Sequence, residues 1–314
     1  MAVLLVALTA CSPPKAKEPL RVGFNPWPGY EFLYLAKAKG FYEKAGLEVK
    51  LVELNTLGDV RRAFERGQID VMASTLVEAA IATENTGKKL KIVAVVDASD
   101  GADMMIARKP ISSVAELAGK KVGMEGVTVD VLNAYFALQS AKLTLKDVQV
   151  VTRTQDDLMI ELESGRIDAM QTYPPYSIKL LQNEQYQKIF DSSKIAGKVI
   201  DVISVDATVL AERADEIKAL VHSYFAAMED FQANRQVDAH LMGSRSGGNA
   251  ESYLAGLDGL KLIARNEQIN YLKANGQLQQ SLQATGMALQ TAGVLKKPVD
   301  VNAFMSEQAL EFYP

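Results

Sequence analysis

Short apolar runs, each opening onto a polar loop and then a helical pattern, recur along the first two thirds of the chain. Leu20-Arg21-Val22-Gly23-Phe24 predicts a strand followed by a helix, and Lys120-Lys121-Val122-Gly123-Met124 repeats it about 100 residues later. Leu47 to Val52 predicts a second strand, matched by Asp147 to Val151. The clearest correspondence sets Phe64-Glu65-Arg66-Gly67-Gln68-Ile69-Asp70-Val71-Met72 against Leu162-Glu163-Ser164-Gly165-Arg166-Ile167-Asp168-Ala169-Met170. Each reads as a helix end capped by a left-handed glycine and running into a third strand.

Two copies of a β-α-β-α-β unit imply an α/β protein with two Rossmann-like lobes, parallel sheets and crossover helices. The apolar runs Ile92 to Val96 with Met104 to Ala107, and Val199 to Val205, are expected to carry the chain to the second lobe and back, as a two-segment hinge. Beyond Ala211 the pattern is helical over Ala214 to Gln232, Ala250 to Arg265, Ile269 to Ala274, Leu278 to Ala292 and Val301 to Phe312, and is expected to complete lobe one. The expected division is 20–105 plus 206–314 for lobe one and 106–205 for lobe two, preceded by a leader (1–11) and a tether (12–19).

That leader, almost wholly apolar from Met1 to Ala10 and ending Leu8-Thr9-Ala10-Cys11, resembles a bacterial lipoprotein signal with Cys11 as the lipidated residue. Such signals open with a positively charged stretch, so the natural start is expected upstream of Met1. Cys11 is the single cysteine, which excludes internal disulfides. No later apolar stretch approaches the roughly 20 residues a spanning helix needs. With 314 residues, 23% charged and 48% apolar, the chain can bury full cores. A net charge of −4, with basic and acidic residues interleaved, gives no footprint for nucleic acid.

Ligands of open α/β sheets sit beyond the carboxyl ends of the strands. In lobe one those ends hold Asn25-Pro26-Trp27-Pro28-Gly29-Tyr30 and Ser74-Thr75; in lobe two they hold Glu125-Gly126-Val127-Thr128 and Thr172-Tyr173-Pro174-Pro175-Tyr176. Exposed amides before the helix that follows Thr128 suit an anionic or carbonyl oxygen. Prolines stiffen the aromatic loops, which reduces the entropy lost on binding. Trp27, flanked by prolines, reads as a ligand contact rather than core filling, whereas Tyr173 and Tyr176 fit a ligand contact or a hinge rim equally. Asp97, Asp100, Asp103 and Glu125 fit either turn and capping roles or a charged site. Carboxylates and aromatics converging on one cleft would favour an amine or quaternary ammonium ligand. His222 and His240 fall away from every predicted strand end, so neither metal clusters nor histidine-based triads are expected, and no cofactor is. Asp156-Asp157 reads as the start of a helix before Leu158.

Residues Val22 through Leu54, centred on Leu33-Tyr34-Leu35-Ala36-Lys37-Ala38-Lys39-Gly40-Phe41-Tyr42, together with the two Gly-x-Ile-Asp segments and Gly126-Val127-Thr128, resemble the periplasmic solute-binding proteins of the nitrate, sulfonate, taurine and thiamine-precursor group. The resemblance covers about residues 20 to 235. It implies a type II periplasmic-binding-protein fold, a monomer that closes on a small ligand, and docking of the closed form on an ABC permease or, alternatively, a membrane signalling receptor. It implies binding through the loops that hold Asn25, Trp27, Tyr30, Ser74, Thr75, Glu125, Val127, Thr128, Tyr173 and Tyr176 here, with Asp100 added from the carboxylate-rich turn. Val127 replaces the usual small loop residue and no arginine occurs at these loops, which argues against sulfonate or nitrate. A related pyrimidine synthase uses a sacrificial histidine and a cysteine-rich iron site, neither of which occurs here, so catalysis is not expected.

Overall fold

The computed structural model describes residues 18–314, so the leader, Cys11 and most of the tether lie outside the described residues. In chain order the strands are β1 (Leu20–Phe24), β2 (Val49–Glu53), β3 (Val71–Thr75), β4 (Leu90–Ser99), β5 (Met104–Arg108), β6 (Lys121–Met124), β7 (Gln149–Thr152), β8 (Ala169–Thr172), β9 (Tyr186–Asp191), β10 (Ile200–Asp206) and β11 (Leu260–Leu262). They form two sheets, ordered β11-β4-β10-β3-β1-β2 and β7-β6-β8-β5-β9. The internal repeat is real in three dimensions. Val22 and Gly23 pair with Val71 and Met72 just as Val122 and Gly123 pair with Ala169 and Met170. In both copies the glycine admits an isoleucine side chain from the next strand's approach: a Cβ on Gly23 would stand 2.3 Å from Ile69, and one on Gly123 2.7 Å from Ile167. Gly67 and Gly165 take the expected left-handed conformation, at φ 68° and 73°.

Each sheet also receives an antiparallel strand that breaks the parallel run, β10 in the first and β5 in the second. The boundaries therefore differ from those expected. β5 belongs wholly to the second sheet and β10 to the first, because each finds buried partners on both edges there. The crossings themselves are the polar segments 100–103 and 192–199. They are stitched together: Ser99 and Ser192 share a hydroxyl hydrogen bond (2.8 Å), the Gly101 amide donates to Ser192 Oγ (2.7 Å), and the Ser192 amide donates to the Asp103 carbonyl (2.8 Å).

Two further expectations change. The stretch 250–265 is not one helix, because Leu260–Leu262 leaves the helix Ala250–Leu257 and extends the first sheet against β4. Nor does the C-terminal part pack on lobe one alone. In the helix Gln277–Thr291, Ala288 and Leu289 share a core with Val77, Ala80 and Ile81 of one lobe and with Leu132 and Leu138 of the other. Beyond it, Glu84 accepts the backbone amides of Lys296 (3.0 Å) and Lys297 (3.0 Å), tying the tail to the helix Leu76–Thr86. Leu289 is fully buried at this three-way contact. Leu289→Ala should lower unfolding free energy by about 2–5 kcal/mol, the cost of a large core truncation. Urea denaturation measures it, and a loss below about 1 kcal/mol would mean that the helix is not a structural bridge.

Candidate functional site

The turn after β1 enters the junction between the sheets and is pinned from behind. Tyr224 donates to the Gly29 carbonyl (3.0 Å) and Tyr253 to the Pro28 carbonyl (3.0 Å), which fixes Trp27 and Tyr30 toward the other lobe. Across the junction Trp27 meets Tyr173 edge-on at 6.0 Å, and Tyr173 meets Tyr176 at 5.8 Å. Asn25, Trp27, Tyr30, Leu57, Thr75, Asp103, Val129, Tyr173 and Asp201 enclose a gap of about 10 Å³ to a water-sized sphere, room for about one water. Outside Trp27 and Tyr176 lies a wider chamber of about 440 Å³, walled by Pro26, Pro28, Met159, Pro174, Pro175 and Tyr253. That volume is in the range of a small-molecule pocket.

Two carboxyl groups, Asp103 and Asp201, line the inner gap, and Asp97 and Glu125 are bonded to its wall residues Trp27 and Tyr173. Asp97 and Asp201 face each other on the adjacent strands β4 and β10, and Asp201 in turn faces Thr75 on β3. Trp27 Nε1 donates to Asp97 Oδ2 (3.0 Å), Tyr30 donates its hydroxyl to Asp201, and Asn133 donates to Asp103 Oδ1 (3.1 Å). In lobe two Tyr173 donates to Glu125 Oε1 (3.2 Å), and the Glu125 amide donates to Asp130 Oδ2 (2.8 Å). All five carboxyl groups are buried, and each has one oxygen that no donor other than a neighbouring carboxyl group reaches.

Burial makes charge expensive here. It pushes Asp97 up to about 7, opposed by the bonds from Trp27 and Asp201 and reinforced by the Asp103 carboxyl. Burial likewise lifts Asp103 to about 6 and Glu125 to about 8, the latter opposed by the Tyr173 hydroxyl and reinforced by Glu78. Asp201 and Asp130 are held well above the ordinary carboxyl range, first by burial and then by the charges of Asp97 and Glu125 respectively.

Half of the ten expected loop residues meet at the gap. Asn25, Trp27, Tyr30, Thr75 and Tyr173 line the gap, and Glu125 supports Tyr173 from behind. Tyr176 lines the outer chamber. Ser74 is buried beside Thr75, its hydroxyl turned to the Thr75 carbonyl (3.3 Å), and Thr128 caps the helix Val129–Ser140 by accepting from the Asp130 amide (3.3 Å). Val127 does not reach the gap: it is 44% exposed and adopts φ 55°, a strained choice for a β-branched residue. Asp100 is likewise displaced. It is exposed and lies behind the hinge in a separate depression with Lys198, Lys261 and Ser281, because the turn that carries it points away from the strand ends. Asp201, Glu78, Asp130, Leu57 and Val129 were not anticipated. A lone acid in a buried run, as in Ile200-Asp201-Val202-Ile203, was the signal for the first. The histidines lie elsewhere, His222 bonding the Phe312 carbonyl (2.8 Å) and His240 sitting on the helix Arg235–Arg245.

The sequence pattern of the family described as NMT1/THI5 like matches residues 27–236, which include the turn with Trp27, both crossings and all of the second sheet. The chain belongs to the NMT1/THI5-like family. One relative, a Brucella abortus (strain 2308) protein provisionally named a binding protein, is 29% identical over 230 residues, 68% of this chain and 67% of its own length. Among solved structures, the alkanesulfonate-binding protein SsuA from Xanthomonas axonopodis pv. citri, bound to MOPS, superposes with a TM-score of 0.79 at 15% identity, covering 92% of this chain and 99% of that one. The desulfurization enzyme DSZB superposes at 0.68 and 15% identity, covering 94% and 99%. The type II periplasmic-binding-protein fold expected for this NMT1/THI5-like chain is thus the observed one, and that fold carries both binding proteins and an enzyme.

The raised carboxyl groups fix a pH response. Each binds its proton more tightly folded than unfolded, so the stability it confers is complete below the ordinary carboxyl range and is lost as pH rises through the folded values of about 6, 7 and 8. Asp59, Asp70 and Asp191, whose bonds and partners hold them low, act only below that range. The unfolding midpoint of the ligand-free protein should therefore fall between pH 5 and pH 8, and the fall should be shallower in Asp97→Asn. Calorimetry at fixed ionic strength checks this, and a midpoint that rises over the same interval would contradict it.

Proposed function

We propose that this NMT1/THI5-like chain is the extracytoplasmic capture component of an ABC importer, anchored at Cys11, and that its ligand is a small organic cation carrying an amine or quaternary ammonium group. The observation that carries the ligand class is the pair of buried carboxyl groups of Asp103 and Asp201 facing a gap walled by Trp27, Tyr30 and Tyr173, with Asp97 beside Asp201 and bonded to the Trp27 indole. An ammonium head entering that gap would supply the missing donors and the compensating charge together, and the aromatic faces would add cation–π attraction. Its apolar body would extend past Trp27 into the outer chamber between the proline-rich walls. The inner gap has room for about one water, so the lobes would part and reclose to admit a substituted ammonium head with its body. Reclosing around a cation shifts the population toward the closed form, which the permease would recognise.

The binding step is also coupled to protons. A cation replaces protons on Asp97 and its neighbours, so affinity for a permanently charged ammonium should rise between pH 5.5 and pH 8.5. Titration calorimetry of the soluble body with a panel of ammonium compounds tests this, with sulfonates as controls. Trp27→Ala should weaken the best cation about 30-fold, the equivalent of a desolvated cation–π contact. Preference for sulfonates over every ammonium compound, or affinity that falls with rising pH, would refute the cation assignment.

A further inference from the structure

We propose that Glu78 is the residue that sets the charge of the accepted ligand, because it fills from the opposite lobe the helix N-terminus at which an anion would otherwise bind. The inference rests on the inter-lobe gap being the ligand site. The helix Val129–Ser140 begins at that gap, with the Val129 side chain on its wall. The first amides of a helix lack partners within it and carry the positive end of its dipole, which makes them a ready site for an oxyanion.

In this chain the amides around that helix start are already taken within the protein, the Asp130 amide by the Thr128 hydroxyl (3.3 Å) and two others by acids. The Val129 amide donates to Glu78 Oε1 across the lobe boundary (3.0 Å), and the amide of Glu125, in the preceding loop, donates to Asp130 Oδ2 (2.8 Å). Glu78 is held in place from its own lobe. Thr75 donates to Oε2 through its hydroxyl (2.5 Å) and its backbone amide (3.2 Å), and the group is completely buried. An incoming sulfonate or carboxylate would meet an occupied Val129 amide and an acidic side chain in place of a free donor. A cation meets no such obstacle and gains from the same charge. Burial raises the Glu78 carboxyl above its ordinary range, opposed by the bonds from Thr75 and Val129 and by the charge of Arg61, which is itself paired with Glu65 (2.6 Å).

The test compares the wild type with Glu78→Gln and Glu78→Ala by titration calorimetry, using benzylammonium and choline as cation probes and methanesulfonate and benzenesulfonate as anion probes. Thermal unfolding verifies that each variant is folded. Glu78→Gln keeps a carbonyl oxygen for Val129 while removing the charge, and carries the test if Glu78→Ala does not fold. The wild type should bind a cation probe and ignore both sulfonates. Glu78→Gln should lose at least tenfold in cation affinity, and Glu78→Ala should gain sulfonate binding at least tenfold above the wild type. If the wild type prefers cations and that ratio is unmoved in the folded variants, Glu78 is not the determinant and only this inference falls. If the wild type binds no cation probe, or prefers a sulfonate, the cation reading falls and this inference with it.

Discussion

A carboxylate taken out of water keeps its charge only where donors or a cation replace the lost solvent, and the junction between the two sheets takes several out of water at once. Asp97 and Asp201 are brought face to face by the antiparallel pairing of β4 and β10, the pairing that also closes the first sheet around the returning chain. The acid pair is therefore a consequence of the hinge topology: moving either residue would shift strand register by one position and turn the neighbouring apolar side chains out of the core. Gly29 shows how tightly the arrangement is built, since a Cβ there would stand 2.0 Å from Asp97 Oδ2.

The same junction couples binding to shape. The crossings at 100–103 and 192–199 bond to each other, and Asp103, at the end of the first, accepts from Asn133 in the second lobe. The helix Gln277–Thr291 adds a third connection: its apolar face serves both lobes, and Ser281 donates to the Gly197 carbonyl at the second crossing (2.6 Å). Any change in the angle between the two sheets must therefore also move this helix against one of them. A few crossing residues cannot set the open-to-closed balance alone, and the apolar contacts under Leu289 contribute to it.

Much of this was legible in the sequence. The offset repeat located six strands, and Gly67 and Gly165 marked their approach, because a left-handed backbone leaves a strong compositional trace. Trp27 between prolines marked the turn that enters the junction of the two sheets. Other features left no local trace. The strand Leu260–Leu262 is three residues long and exists only through pairing with β4. The bridging role of the helix Gln277–Thr291 depends on which lobe lies beside its apolar face, and periodicity reports the face but not the neighbour. Asp100 was favoured over Asp97 among the acids of the same turn because sequence proximity cannot say which of them the strand carries inward. Side chains alternate along β4, so Asp97 points toward the Trp27 indole while the chain has already turned away at Asp100.

Charge is the property that this architecture leaves open. Two stacked α/β units fix where a ligand sits, at strand ends and helix N-termini, and by default those termini favour anions. To accept the opposite charge a chain must cancel that default rather than only add acids to the cleft, since an anion could still find free amides beside them. Glu78 and Asp130 cancel it from two directions, one across the lobe boundary and one from within the helix itself. Because Glu78 does so by bridging the lobes, the group that biases the site against anions is also a contact of the closed form. Ligand charge and lobe closure are then two readings of one buried hydrogen bond, which is why substitutions at this position should move selectivity and conformation together.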